Sequence, residues 1–211
     1  MQNSLLAILQ SGLALLGLEL APTIQDKMLK YIMLLYRWNQ VYNLTAIREP
    51  ESILIKHVLD SLAVTPYVLG PTVLDFGTGA GLPGIPLALA LPKNHVVLLD
   101  SSTKKTVFLQ HVVFTLGLKN VAVMTNRIEK FCCPAGFATV ITRATAKLHN
   151  IITKTTALCS TQGQILVMTG RYPTELKTIT QPKEIYRLKV PYLDAERHLV
   201  RIYDSKNYSD Y

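Results

Sequence analysis

The 211-residue sequence predicts an α/β fold: a mostly parallel sheet with helices on both faces, preceded by a helical extension. Two observations support this fold class. From Thr72 onward, short apolar segments alternate with helical patterns, which is typical of right-handed strand–helix–strand crossovers. The preceding residues carry helical patterns alone. We therefore expect a helical cap over residues 1–65 and a sheet-based domain over residues 66–211.

The cap is predicted from apolar residues that recur at alternating steps of four and three, as along one face of an amphipathic helix. These residues are Ile24, Met28, Tyr31, Leu35 and Trp38. A second, shorter helix is expected from Glu51 to Leu62. Within it, His57 and Asp60 are three residues apart, so we expect them to share a structural hydrogen bond.

The sheet is predicted from a series of short apolar segments. The predicted strands are residues 72–76, 95–100, 120–124, 138–142 and 163–169, with two more near 184–190 and 198–204. The clearest helix between them spans Thr103 to Leu116 and ends at Gly117. In such a sheet, ligands bind outside the carboxyl ends of the strands.

A glycine-rich segment follows the first strand. Gly77, Gly79, Gly81 and Gly84 let the strand turn sharply into a helix and let a ligand approach the backbone closely. We expect the N–H groups of this glycine loop, residues 77–84, to be unpaired and available to an anionic group. Gly77 and Gly79 are therefore candidate cofactor contacts.

Two acids help to identify the ligand of the glycine loop. Asp100 closes the next strand at about the 20-residue spacing expected of a carboxylate that binds a ribose diol. Asp75 lies at the lip of the loop, where it would repel a diphosphate by about 4 kcal/mol at 4 Å. These acids favour S-adenosylmethionine (SAM), whose ammonium and sulfonium suit a nearby carboxylate, over NAD. Because the glycine spacing permits a dinucleotide, an NAD-dependent oxidoreductase stays open as an alternative.

Basic residues predict a polyanionic partner. The net charge is +8, and residues 126–189 contain ten lysines and arginines against three glutamates. Arg127 and Arg143 each follow a strand end, and arginine is the usual donor to the O6 edge of guanine. Lys104 and Lys105 occupy the first turn of a helix, an unfavourable end for cations, which suggests phosphate contacts. Lys147 is a further candidate for an RNA phosphate.

The cysteines and hydropathy indicate a cytoplasmic protein. The three cysteines form neither a C-x-x-C pattern nor an even disulfide set, and no metal site is predicted. No apolar run approaches 18 residues. The leucine-rich N-terminus lacks a basic segment and carries Glu19, which argues against a secretory signal. Nothing in the pattern demands more than a monomer.

Several motifs resemble the GidB-type family, the bacterial 16S ribosomal RNA guanine-N7 methyltransferases. The resemblance extends from about Leu15 to Tyr203, and the glycine loop with the Asp-Ser-x-x-Lys-Lys run is its most specific part. The matching segments are Trp38-Asn39, Asn43-Leu44-Thr45, His57-x-x-Asp60-Ser61-Leu62, Leu74-Asp75-x-Gly77-Thr78-Gly79-Ala80-Gly81-Leu82-Pro83-Gly84-Ile85-Pro86, Leu99-Asp100-Ser101, Lys104-Lys105, Phe108-Leu109, Asn120-Val121, Arg127-x-Glu129, Arg143-Ala144 and Arg197-x-Leu199-Val200.

The resemblance implies a class I SAM-dependent methyltransferase fold, Rossmann-like, acting on N7 of a guanine in 16S ribosomal RNA or a small-subunit precursor. Asn39 would contact the base and Arg197 the RNA. The implied SAM contacts are Gly77, Leu82, Ile128, Glu129 and Arg143.

Two departures from the family pattern, Ala138 in place of an acid and Thr169 in place of a lysine, keep open the alternative of an inactive RNA-binding or assembly module.

Guanine N7 carries a lone pair and no proton, so the implied reaction needs no general base.

Overall fold

A computed structural model describes residues 2–143, 147–174 and 179–203. The described helices are α1 (Gln2–Leu15), α2 (Pro22–Tyr42), α3 (Pro50–Ile53), α4 (Asp60–Leu62), α5 (Gly84–Ala90), α6 (Thr103–Leu116) and α7 (Leu148–Thr155). A π-helical segment, Leu54–Leu59, joins α3 to α4. The predicted helix from Glu51 to Leu62 is thus confirmed as three consecutive segments, and α6 has its predicted bounds.

In the part of the chain that the structure describes, seven strands form one sheet. They are β1 (Thr72–Phe76), β2 (His95–Asp100), β3 (Val121–Thr125), β4 (Phe137–Thr142), β5 (Cys159–Thr169), β6 (Lys183–Arg187) and β7 (His198–Tyr203). Their order is β3-β2-β1-β4-β5-β7-β6, and only β7 runs antiparallel to its neighbours. The prediction of a mostly parallel sheet is confirmed. Strand β5 begins at Cys159 rather than at residue 163, because a register irregularity lets Phe137 pair with Cys159. Residue 204, at the end of the predicted last strand, is outside the described residues.

Each face of the sheet has its own apolar layer. Alternate residues point to opposite faces of a strand, so Val73 of β1 packs in one hydrophobic cluster and Leu74 in the other. The first cluster also contains buried residues of α1, α2, α5 and α6. The second contains Leu148, Ile151 and Ile152 of α7. The N-terminal helices therefore share a continuous core with one face of the sheet.

The strand order reverses between β1 and β4, the position at which open α/β sheets bind ligands. Helix α2 reaches this position directly. The hydroxyl of Tyr31, a fully buried residue, donates a hydrogen bond of 2.8 Å to the carbonyl of Ala80 in the glycine loop. The cap thus supports the loop that follows β1.

Replacing Tyr31 with Phe removes this bond and leaves the Ala80 carbonyl without its donor. We expect the free energy of unfolding to fall by about 1 kcal/mol, as measured by urea denaturation. Tyr36→Phe, a half-buried position on the same helix, is the matched control. Equal stability of the two variants would contradict the role of the Tyr31 hydroxyl.

Candidate functional site

The glycine loop bonds mainly to its own surroundings. The N–H groups of Gly77 and Thr78 donate to the carbonyl of Leu99, at 2.8 and 3.2 Å. Those of Gly81 and Leu82 donate to the carbonyl of Thr78, both at 2.9 Å. The prediction of a row of unpaired N–H groups is therefore wrong. A turn this tight brings nearby carbonyls within reach of its own donors.

Glycine is required at Gly81 for two reasons. Its φ of 95° lies in the left-handed region. A Cβ at this position would also lie 2.6 Å from Ile85 and 2.8 Å from Leu109. The neighbouring Leu82, a predicted cofactor contact, is buried in the core. The loop is thus fixed from beneath by packing as well as by hydrogen bonds.

Asp75 lies beneath the loop and is fully buried. Its Oδ2 accepts hydrogen bonds from the Thr78 hydroxyl at 2.6 Å and the Gly84 N–H at 2.7 Å. Its Oδ1 has no hydrogen-bond partner among the described residues. Burial raises the pKa of Asp75 to about 7, and the bonds from Thr78 and Gly84 oppose this rise. Asp75 therefore ties the loop to β1, and a carboxylate without exposed surface does not offer the predicted cofactor contact.

Asp100 ends β2 beside a cavity of about 440 Å³, here called the smaller cavity. Its Oδ2 accepts the N–H of Gly79 and its Oδ1 the N–H of Ser102, both at 2.9 Å. Six residues of the predicted site line this cavity together: Gly77, Asp100, Lys105, Arg127, Ile128 and Glu129.

The far wall of the smaller cavity follows β3. A 3₁₀ turn, Ile128–Lys130, places the half-buried Ile128 between two exposed charged residues, Arg127 and Glu129. Glu129 pairs with Lys154 at 2.7 Å, which holds the pKa of Glu129 below its usual range. The apolar side chain of Ile128 and two acids, Asp100 and Glu129, thus line the smaller cavity.

The two lysines at the start of α6 have different environments. Lys105 lies 3.5 Å from Asp100 Oδ2 and lines the smaller cavity. Lys104 is exposed and lies over the ring of Tyr42, with 5.3 Å between Nζ and the ring centroid. Each cation therefore has a local partner that offsets its unfavourable place at a helix N-terminus.

Asn39 is buried, and both polar atoms of its amide form hydrogen bonds. Its Nδ2 donates to the Ile47 carbonyl at 3.1 Å, and its Oδ1 accepts the Thr45 N–H at 2.9 Å. The Thr45 hydroxyl lies 2.8 Å from Nε2 of His57. Asn39 thus organises the segment after α2, and this geometry does not support the predicted contact with a base.

A buried carboxylate joins three elements at the carboxyl edge of the sheet. Asp60 on α4, whose side chain is 1% exposed, pairs with Arg143 at 3.1 Å and with Arg197 at 3.0 Å. Arg143 follows β4 and Arg197 precedes β7. Burial raises the pKa of Asp60, and the two guanidinium groups oppose that rise. The predicted hydrogen bond between His57 and Asp60 is wrong, because the arginines take the carboxylate.

His57 contacts Arg143 instead, with 3.4 Å between Nδ1 and Nη1. Burial and the nearby Arg143 charge lower the pKa of His57 to about 4. The imidazole is therefore neutral at physiological pH and adds no positive charge beside the arginine.

A larger cavity, of about 750 Å³, lies beside this ion pair. Of the predicted site residues, Arg143, Lys147 and Arg197 line it, together with Asp60. Arg171 and Tyr172 also line it, and sequence reasoning missed both. They follow the carboxyl end of β5, so the rule that located Arg143 could have found them.

The two cavities flank the switch point between β1 and β4. The hydroxyl of Thr142, which precedes Arg143, donates at 2.9 Å to the carbonyl of Phe76, a residue that lines the smaller cavity. The site residues thus divide into a smaller cavity with acids and an apolar wall, and a larger cavity rich in cations.

The two departures from the family pattern differ in position. Ala138 lies at the amino end of β4, where its N–H donates to the Thr72 hydroxyl, far along the strand from the site. Thr169 lines the larger cavity, and its hydroxyl donates to the Arg171 carbonyl at 2.9 Å. Only the second departure therefore bears on the site.

Within the described ranges, no helix is long and apolar enough to cross a membrane. The same part of the chain holds no cluster of three or more His, Cys, Asp or Glu side chains suited to a metal ion.

Comparison with known proteins gives a family match over most of the chain. The family model described as GidB, rRNA small subunit methyltransferase G, matches residues 24–200. The Ribosomal RNA small subunit methyltransferase G of Nitrosococcus oceani is 46% identical over 199 residues, covering 92% of this chain and 93% of that protein. The protein of the same name from Chromobacterium violaceum is 45% identical over 201 residues, covering 93% and 96%.

Solved structures show the same fold. The crystal structure of M. jannaschii TYW2 in complex with AdoMet, which is SAM, has a TM-score of 0.55 with 16% identity over 69% of this chain and 74% of that chain. The predicted class I SAM-dependent methyltransferase fold is confirmed.

Replacing Asp75 with Asn tests the buried carboxylate. Because the pKa of Asp75 is raised from 3.8 to about 7 in the folded protein, the folded state binds the proton more tightly than the unfolded state. Folding stability from this group is therefore lost as pH rises towards 7. Relative to the wild type, Asp75→Asn should therefore gain stability as the pH rises from about 4 to about 7, as measured by urea denaturation. Parallel pH profiles would contradict the raised pKa; Asp194→Asn, at an exposed acid, is the control.

Proposed function

Since the chain belongs to the GidB family of rRNA small subunit methyltransferase G, we propose that it transfers a methyl group from SAM to N7 of one guanine in 16S ribosomal RNA. The observation that carries the proposal is the position of the two cavities on either side of the switch point. One has the acids and apolar wall that a positively charged nucleoside cofactor requires. The other has cations suited to RNA.

The residues of the smaller cavity fit SAM. Asp100 supplies a carboxylate for ribose hydroxyls, and Ile128 supplies an apolar surface for adenine. A Cβ built at Gly77 would meet no heavy atom within 4 Å, so the backbone there is open to close approach. When bound, SAM supplies an electrophilic methyl group on a sulfonium. The NAD alternative is disfavoured, because the loop N–H groups that would bind a diphosphate already have partners.

The larger cavity suits the target nucleotide. Arg143 and Arg197 are about a quarter and a fifth exposed there, with Lys147 beside them. A guanidinium is the side chain best suited to the O6 edge of guanine, and holding O6 orients N7. His57 is neutral at physiological pH, so it does not add a competing charge. The reaction needs no general base, since N7 has no proton to lose.

The remaining cations would serve the RNA backbone. Arg127 and Lys105 lie at the smaller cavity, and Lys147 at the larger one. We infer that the substrate is 16S ribosomal RNA or a small-subunit precursor, bound by a monomer in the cytoplasm.

The direct test is methyl transfer from labelled SAM to small-subunit RNA that lacks the modification, with the modified base mapped by reduction and aniline cleavage, which is selective for N7-methylguanosine. We expect label at a single guanine, on naked RNA or on the assembled particle. RNA binding without transfer on either substrate would instead support the inactive assembly module. Binding of NAD without SAM would support the oxidoreductase.

Replacing Asp100 with Asn removes the charge that faces the smaller cavity. We expect SAM affinity to fall at least tenfold, measured by calorimetry, because a charge-assisted hydrogen bond to ribose is lost. Asp194→Asn, at an exposed acid, provides the control for lost charge. Unchanged affinity in Asp100→Asn would remove Asp100 from the cofactor site.

Replacing Asp60 with Asn leaves Arg143 and Arg197 without their common partner. The free energy of unfolding should fall by about 3–5 kcal/mol, as for other buried pairs that lose one member. In the folded fraction, kcat/KM for RNA should fall at least tenfold while SAM affinity stays within twofold.

The matched control for Asp60→Asn is Glu184→Gln. Glu184 lies 3.7 Å from Arg201 near the amino end of β6, at the opposite edge of the sheet. Glu184→Gln should lower the free energy of unfolding and leave methyl transfer unchanged. Wild-type kinetics in Asp60→Asn would show that the arginines do not depend on Asp60.

A further inference from the structure

Helices α2 and α6 carry a surface that neither cavity uses. Trp38 lies beside Tyr42, with ring centroids 5.1 Å apart, and beside His111 at 5.4 Å. We define the aromatic face as Trp38, Tyr42, Val107, His111 and Phe114.

The aromatic face is unusually open to solvent. Phe114 is 86% exposed, Val107 46% and Tyr42 39%. On α6, Lys104, Val107, His111 and Phe114 follow at steps of three, four and three, so they share one side of the helix. Core packing does not explain a phenylalanine in this position, since burying its ring is favourable. An exposed apolar patch with a charged border marks an interaction site.

The charge around the face identifies the kind of partner. Helix α6 carries Lys104 and Lys105 and no acidic residue. The last 15 residues of helix α2, which include Trp38 and Tyr42, also contain no acidic residue. Lys104 lies over the ring of Tyr42, which places a cation directly beside an aromatic surface. Aromatic rings that stack bases, bordered by cations that meet phosphates, are the features by which proteins hold single-stranded nucleic acid.

The face adjoins the cofactor site. Lys105 lines the smaller cavity, while its neighbour Lys104 borders the aromatic face. The aromatic face therefore begins beside the cofactor site, and RNA that continues past this site would meet α6. We propose that the aromatic face binds unpaired bases of the substrate RNA that flank the methylated guanine; this inference rests on the proposed function.

The test compares Phe114→Leu and Phe114→Tyr, with Leu15→Ser as a control at another exposed apolar residue, 67% accessible. Leucine keeps the apolar character of the side chain but lacks a ring on which a base can stack, whereas tyrosine keeps that ring. We expect Phe114→Leu combined with Tyr42→Leu to raise the RNA KM about tenfold with kcat unchanged, because base–aromatic stacking is lost at two positions. Leu15→Ser should match the wild type, and Phe114→Tyr, which keeps an aromatic ring, should keep more of the RNA affinity than Phe114→Leu does.

A second readout needs no methyl transfer and so remains informative if the proposed function fails. Trp38 is the single tryptophan of the sequence, and its emission reports on the face. Single-stranded RNA with the sequence around the target should quench this emission. In the Phe114→Leu, Tyr42→Leu double variant, the RNA concentration that gives half-maximal quenching should rise about tenfold. Unchanged KM and unchanged quenching would overturn the inference. So would a wild-type dimer in sedimentation that Phe114→Leu dissociates, because the face would then bind a second copy.

Discussion

The site depends on one buried carboxylate that is shared by two arginines. Asp60 comes from the N-terminal helices, Arg143 follows β4 and Arg197 precedes β7, so a single interaction fixes three distant parts of the chain around one cavity. A lone buried carboxylate would be costly, and two arginines at one cavity would repel each other. Together they leave a net positive charge at the edge of the sheet. The N-terminal helices are thus part of the site, although they contribute no strand to it.

Buried carboxylates also fix the glycine loop. Several of its N–H groups donate to Leu99, Asp75 and Asp100, and the buried Tyr31 hydroxyl donates to the Ala80 carbonyl. A loop with its own anions in place does not attract a diphosphate. The preference for a cationic cofactor therefore arises from the way Asp75 and Asp100 satisfy the loop, rather than from a carboxylate at its lip. The distinction matters because Asp75 acts through loop geometry, whereas Asp100 faces the cavity.

Most of the fold could be predicted from the sequence, since strand–helix alternation and the glycine turn are local signals. The bounds of α6 and the parallel sheet follow from periodicity and from the glycine that ends the helix, Gly117. Sequence spacing also located Asp100, Arg127 and Arg143 at strand ends. It could not assign partners: the i,i+3 spacing suggested His57 for Asp60, yet residues 83 and 137 positions away took that place. Such pairs join residues that are far apart in the sequence and meet only in the folded protein. The same holds for the hydrogen bonds that the glycine loop makes to Leu99 and Asp100.

The most direct test of the central claim is a crystal structure of the protein with S-adenosylhomocysteine, the product form of the cofactor. The account predicts the nucleoside in the smaller cavity with its ribose on Asp100, and Asp60 still paired with both Arg143 and Arg197 beside it. A nucleoside bound elsewhere, or Asp60 separated from the two arginines in the complex, would contradict it.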